Sequence, residues 1–155
     1  MNATYPMLLL AGSAESTAGP ARGAFQQLDA VALLSPHTKL AVRAPTLERL
    51  PEAIRDAYRA AFYDRPGVGF VDLPADYIQG KPKRVVAIAP VDAQAKVFGE
   101  EARVRRLAHA LKAAKKPLVI IGKGAAYARA EGVLRDFINS CVGSFLISLP
   151  RFIPD

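Results

Sequence analysis

The chain has 155 residues, 51% of them hydrophobic and 23% charged, with 21 Lys and Arg against 14 Asp and Glu. That length sets a prior of one domain, and that composition excludes a disordered chain. No run approaches the roughly 18 apolar residues of a bilayer-spanning helix, so no membrane partner is expected. A single cysteine, Cys141, and two scattered histidines, His37 and His109, leave no disulfide framework and no metal motif. The net charge of +7 and the pI of 9.8 raise nucleic acid as a partner. Residues 81–116 hold ten basic residues against three acidic ones, so the whole excess lies in one stretch. Only Phe98 interleaves with those cations and no nucleic-acid motif accompanies them, so no nucleic acid is expected. The first twelve residues lack the positive flank of a secretory leader. The chain is therefore expected inside the cell, cytoplasmic or peroxisomal, although Ile153-Pro154-Asp155 is no peroxisomal signal.

Taken in order, residues 7–12 (Met-Leu-Leu-Leu-Ala-Gly) read as a buried strand, and residues 13–23 as a Ser/Gly/Ala-rich loop. Phe25, Leu28, Val31 and Leu34 recur every three residues, which predicts a helix over 24–34 that packs Phe25 into the core. A strand over 39–42 follows. Next comes a helix from Thr46 to Tyr63 with Leu47, Leu50, Ile54, Ala57, Tyr58 and Ala61 on one face, its first turn disturbed by Pro51. Asp64-Arg65-Pro66-Gly67 is a turn and residues 68–73 a third strand. This β-α-β-α-β order predicts a parallel sheet covered by helices. Residues 79–99 carry no sustained period and read as a linker. A second α/β pattern follows: a basic helix over 100–115, a strand over 118–121, a turn at Gly122-Lys123-Gly124, a helix to about Asn139, and an apolar run over 145–149. Each half is too short to complete a doubly wound sheet. The fold class expected is α/β, with incomplete doubly wound parallel sheets in two partial domains joined by a linker.

Several blocks carry a resemblance. Ala11-Gly12-Ser13, Gly23-Ala24-Phe25-Gln26, Ile54-Arg55-Asp56-Ala57-Tyr58, Asp64-Arg65-Pro66-Gly67 and Val71-Asp72-Leu73-Pro74-Ala75-Asp76 occur in the order found in thiamine-diphosphate-dependent enzymes. The block Pro117-Leu118-Val119-Ile120-Ile121-Gly122-Lys123-Gly124-Ala125-Ala126-Tyr127-Ala128 resembles the 2-hydroxyacyl-CoA lyase and oxalyl-CoA decarboxylase branch. The resemblance implies that residues 1–80 are the C-terminal half of a pyrimidine-binding domain. Residues 81–102 would be a linker, and 103–155 the N-terminal part of a central domain. For the full-length family it implies thiamine diphosphate and Mg2+ as cofactors, an acyl-CoA substrate and a homo-oligomer. The reaction it implies is cleavage of a 2-hydroxyacyl-CoA to formyl-CoA and an aldehyde. The family's activating glutamate and its Gly-Asp-Gly motif are not found in these residues. The chain is accordingly expected to be a fragment without catalytic residues of its own, inactive alone.

Gly122, Lys123 and Gly124 sit between a strand and a helix, a position that presents backbone amides and a lysine charge to an anion. From spacing alone a tight turn needing small residues accounts for them as well. The resemblance implies ADP binding there, with Lys123 and Arg65 as phosphate contacts. Taken alone, Arg65 is a solvated turn residue or a partner of Asp64. Phe25 and Gln26 match a segment near the substrate end of the cofactor. Gln26, off the apolar face, is the better polar contact, and Phe-Gln in place of Tyr-Glu leans towards the lyase. His37 and His109 are expected to be solvated and Cys141 incidental. Asp72 and Asp76 are expected to serve capping or turn formation.

Overall fold

The computed structural model describes residues 5–18, 23–84, 86–95, 97–140 and 146–148. These fall into two compact units, residues 1–94 and 95–155.

In the first unit, β1 (Met7–Ser13), β2 (Leu40–Arg43) and β3 (Val68–Pro74) form a parallel sheet in the order β1-β3-β2. The register pairs Met7 with Val68 and Ser13 with Pro74 on one side, and Leu40 with Gly69 and Arg43 with Asp72 on the other. β3 is central and almost wholly buried, as its run of apolar residues on both faces requires. Connections through α1 (Ala30–Leu34) and α2 (Leu50–Phe62) run in opposite directions along the sheet. Right-handed crossovers therefore put the two helices on opposite faces.

α2 buries Ala53, Ala57 and Ala61, four residues apart, against the sheet. Small residues bring the helix close: a Cβ on Gly69 would lie 2.2 Å from the carbonyl oxygen of Ala57. Ala44, Ala53, Ala57 and Val71 make the core, with Leu8, Leu40, Val42, Leu50, Ile54, Leu73 and Tyr77 packed around it. Pro51 lies in the first turn of α2, where its missing N–H has no partner to lose. The expected helix from Thr46 is thus a short 3-10 turn over Leu47–Arg49 followed by α2, and Thr46 makes no side-chain cap.

The helix expected over 24–34 shrinks to the five residues of α1. Gln26 is left-handed at φ 60°, which no right-handed helix accommodates. Gln27 folds its side chain back to accept from the Ala24 N–H at 3.0 Å, and Asp29 caps α1 by accepting from the Ala32 N–H at 2.9 Å. Phe25 is 87% exposed, so its expected packing in the core does not occur. One short helix was not anticipated, α3 (Ala75–Gln79), which starts after Pro74. From 80 to 100 the described residues form no helix or strand.

In the second unit, α4 (Glu101–Ala113) is followed by β4 (Leu118–Ile120), α5 (Lys123–Tyr127), α6 (Glu131–Ser140) and β5 (Leu146–Ser148). β5 lies within the expected final strand and pairs in parallel with β4, Leu118 opposite Leu146. None of α4 is buried, and its Arg103 and Arg105 pair with Glu100 and Glu101. The single helix expected after Gly124 is broken in two. Arg129 takes φ 49°, while the Ala130 N–H reaches the Ala125 carbonyl and the Arg129 N–H the Ala126 carbonyl, both at 3.0 Å. These paired bonds are a Schellman ending with arginine in the left-handed position. Cys141 lies outside the described residues.

Candidate functional site

Parallel α/β sheets bind ligands beyond the carboxyl ends of their strands, and here those ends are Ser13, Arg43 and Pro74. A cleft of about 540 Å³ opens there. One side is the segment after β1, with Ala14, Glu15 and Ala18. The other is the approach to α1, with Gln26, Leu28, Asp29 and Val31, and Ala41 to Arg43 of β2 lie between them. The lining is mainly apolar, and its polar members are the acids Glu15 and Asp29, the amides Gln26 and Gln27, and Arg43.

Arg43 is held in place from below. Its Nε donates to Oδ2 of Asp72 at 2.5 Å and its Nη2 lies 3.4 Å from the hydroxyl of Ser13. Asp72 is 1% exposed, and the Arg43 side chain 37%. A carboxylate this deeply buried needs a cation beside it. Its second oxygen, Oδ1, has no hydrogen-bond partner among the described residues. Asp76, four residues on, accepts from the Ser16 N–H at 2.8 Å and from the Ser16 hydroxyl at 2.5 Å. These two bonds hold the Asp76 carboxyl below the usual carboxylate range. Asp72 makes its bond across the sheet rather than in a cap or turn, whereas Asp76, in the first turn of α3, adds a long-range tie to its local place.

The sequence-predicted site residues fall into three places. Gln26 lines the cleft, in a backbone conformation seldom found outside glycine and often found at sites. Its neighbour Phe25 points into solvent. Arg65 is exposed in the turn after α2, and Asp64 pairs not with it but with the side-chain amide of Gln94. Gly122, Lys123 and Gly124 join β4 to α5 in the other unit. Gly122 has φ −104° and ψ −178°, and a Cβ at Gly122 or Gly124 would meet nothing within 4 Å. The turn thus makes no steric demand for glycine at either position. His37 and His109 are exposed, as expected. The residues that sequence reasoning missed are Arg43 and Ser16. A carboxylate inside the apolar run Val71-Asp72-Leu73 was the signal for a buried cation partner.

No protein-family profile matches the chain. It is 36% identical over 149 residues to 2-hydroxyacyl-CoA lyase 1 of Mus musculus, covering 92% of this chain and 25% of that protein. It is 30% identical over 147 residues to oxalyl-CoA decarboxylase of Escherichia coli K12, covering 92% of this chain and 26% of the relative. Among solved structures, a protein from Mycobacterium smegmatis described as thiamin diphosphate-dependent superposes with a TM-score of 0.71. That match has 21% identity and covers 92% of this chain and 27% of the other. The chain thus spans about a quarter of the length of the curated relatives it matches. In sequence the chain is thus similar to about a quarter of the 2-hydroxyacyl-CoA lyases and of oxalyl-CoA decarboxylase, and in fold to a segment of a solved thiamin diphosphate-dependent enzyme.

Proposed function

We propose that this chain supplies the substrate-side wall of a thiamine-diphosphate-dependent active site that cleaves 2-hydroxyacyl-CoA to formyl-CoA and an aldehyde. The observation that carries the reading is Gln26 on the wall of a cleft at the strand carboxyl ends, in a chain 36% identical to a 2-hydroxyacyl-CoA lyase. The lining favours the lyase over an oxalyl-CoA decarboxylase. Leu28, Val31, Ala41 and Val42 suit an alkyl chain, whereas an oxalyl carboxylate would meet Glu15 and Asp29. In this reading Gln26 orients the substrate by hydrogen bonding, and the apolar wall excludes water from its acyl part. Thiamine diphosphate, when bound, supplies the electron sink. The residues of this chain do not fit the metal and diphosphate end of that cofactor. Among the described residues no three His, Cys, Asp or Glu side chains gather as a metal site, and the 155 residues contain no Gly-Asp-Gly. The 155-residue chain, incubated with a 2-hydroxyacyl-CoA, thiamine diphosphate and Mg2+, is expected to release no formyl-CoA; release above the protein-free rate contradicts the expectation that these residues are inactive alone. The compartment we assign to this chemistry is the reducing cell interior that a single cysteine suits.

A second reading concerns the β4–α5 turn as an ADP or CoA-phosphate contact. It is favoured by glycines at 122 and 124 that their own backbone does not require, which leaves room for a phosphate to approach the amides. Calorimetric titration with ADP is expected to show binding that Lys123→Ala weakens about tenfold, the scale of one lost charge-assisted contact. Equal heats from the two proteins contradict it.

A further inference from the structure

The segment Asp72-Leu73-Pro74-Ala75-Asp76 places two carboxylates on either side of the turn from β3 into α3. Each makes a hydrogen bond to a residue distant in the chain. Asp72 reaches across to β2, where Arg43 is its register partner. Asp76 reaches sixty residues back to Ser16, in the segment that follows β1. Both partners belong to the cleft: Arg43 lines it, and Ser16 lies between the lining residues Glu15 and Ala18. The same segment has a further backbone bond, from the Ala18 N–H to the Glu15 carbonyl at 2.9 Å, that closes it into a turn. Ser16 gives both of its donors to the two oxygens of one carboxylate, a two-point attachment that fixes orientation as well as position.

We propose that Asp72 and Asp76 are positioning residues for the cleft, Asp72 fixing the Arg43 side chain at its base and Asp76 fixing residues 14–18 as its wall. What the cleft binds rests on the function proposed above; the positioning does not. Buried beside the Arg43 guanidinium, the Asp72 carboxylate ties that side chain to the base of the cleft. The lowered pKa of Asp76 agrees with a carboxylate that stays ionised while Ser16 is held.

Amide exchange of the 155-residue chain, resolved by NMR, tests the Asp76 half. Asp76→Ala is expected to speed exchange of the Ser16 amide about tenfold or more, the scale of two lost bonds to a charged acceptor, while amides of α2 and β3 keep their wild-type rates. Asp76→Asn, which retains one accepting oxygen, is expected to restore part of the protection. Wild-type rates at Ser16 in Asp76→Ala, or an equal rise across residues 5–94, would overturn the proposal. Ser16→Ala removes only the hydroxyl bond and covers the case in which Asp76→Ala does not fold: its residue 16 amide is expected to exchange several-fold faster, and unchanged exchange there overturns the proposal too. For Asp72, the Arg43 Nε–H resonance is expected to be slow to exchange in the wild type and fast in Asp72→Asn; identical behaviour in both contradicts it. A wild-type chain that fails to bind an acyl-CoA would count against the proposed function and leave these readouts standing.

Discussion

Arg43 and Asp72 show how one buried charge organises its surroundings. Removing either partner leaves the other without its counter-ion. Arg43→Ala, which strands Asp72 at 1% exposure, is expected to cost about 2–4 kcal/mol, with the partial exposure of Arg43 keeping the loss below that of a fully buried pair. Urea unfolding checks it, and a shift in midpoint equivalent to less than about 0.5 kcal/mol, the range of ordinary surface changes, would contradict it. Gln26 predicts the opposite pattern. Its φ of 60° disfavours any side chain with a Cβ, so Gln26→Gly is expected to hold or raise stability by up to about 1 kcal/mol while removing the polar contact from the cleft wall. Asp76 and Glu48 set the response to acid. Both carboxyls have their pKa lowered in the fold, Asp76 by the Ser16 hydroxyl and amide, Glu48 chiefly by its own backbone amide and then that of Lys83. A lowered carboxylate stabilises the fold above its unfolded value and ceases to do so as pH falls through the folded one. Thermal stability is therefore expected to be level above about pH 5 and to decline below about pH 4. In Asp76→Asn the part of that decline due to Asp76 should disappear; an unchanged acid limb in this variant contradicts the assignment. The resemblance made Gln26 legible at this scale. Ser16 was hidden, because nothing in a Ser-rich loop says which hydroxyl will meet a carboxylate sixty residues away.

Among the elements, strands were read more faithfully than helices, and the reasons are local. Apolar runs such as Val68 to Leu73 specify a buried parallel strand by themselves, and their bounds shift by only one residue at either end. Three-residue recurrence over 24–34 misled, because Gln26 and the Asp29 cap impose a turn before the helix can begin. The break at Arg129 was equally hidden: left-handed endings favour glycine or asparagine, and arginine gives no such signal. Arg129→Gly is expected to raise stability, by up to about 1 kcal/mol, by relieving that conformation; a lower melting temperature contradicts the Schellman ending. The tight seat of α2 on β3 makes the reverse case. A Cβ at Gly69 falls on the backbone carbonyl of Ala57, which has no rotamer to yield. Gly69→Ala is therefore expected to cost about 1–3 kcal/mol or more, whereas Gly12→Ala, with nothing within 4 Å, is expected to cost little by this mechanism.

Over the whole chain, length suggested one domain, and the structure divides it into two. Two compact units meet at 94–95, and the basic excess runs through the residues around that boundary and along α4. Lys81, Lys83 and Arg84 are exposed in a stretch with neither helix nor strand, so limited trypsin is expected to cut there before it cuts α2 or β3. The central claim is that these residues form the substrate wall of a 2-hydroxyacyl-CoA-cleaving site, and the most direct measurement transplants them. Residues 5–140 replace the matching segment of the mouse 2-hydroxyacyl-CoA lyase 1, and formyl-CoA release is followed with and without Gln26→Ala. The account predicts a folded chimera that releases formyl-CoA, with kcat/KM lowered about tenfold or more by Gln26→Ala, the scale of one lost buried hydrogen bond. A folded, cofactor-loaded chimera without activity, or one indifferent to Gln26, would contradict it.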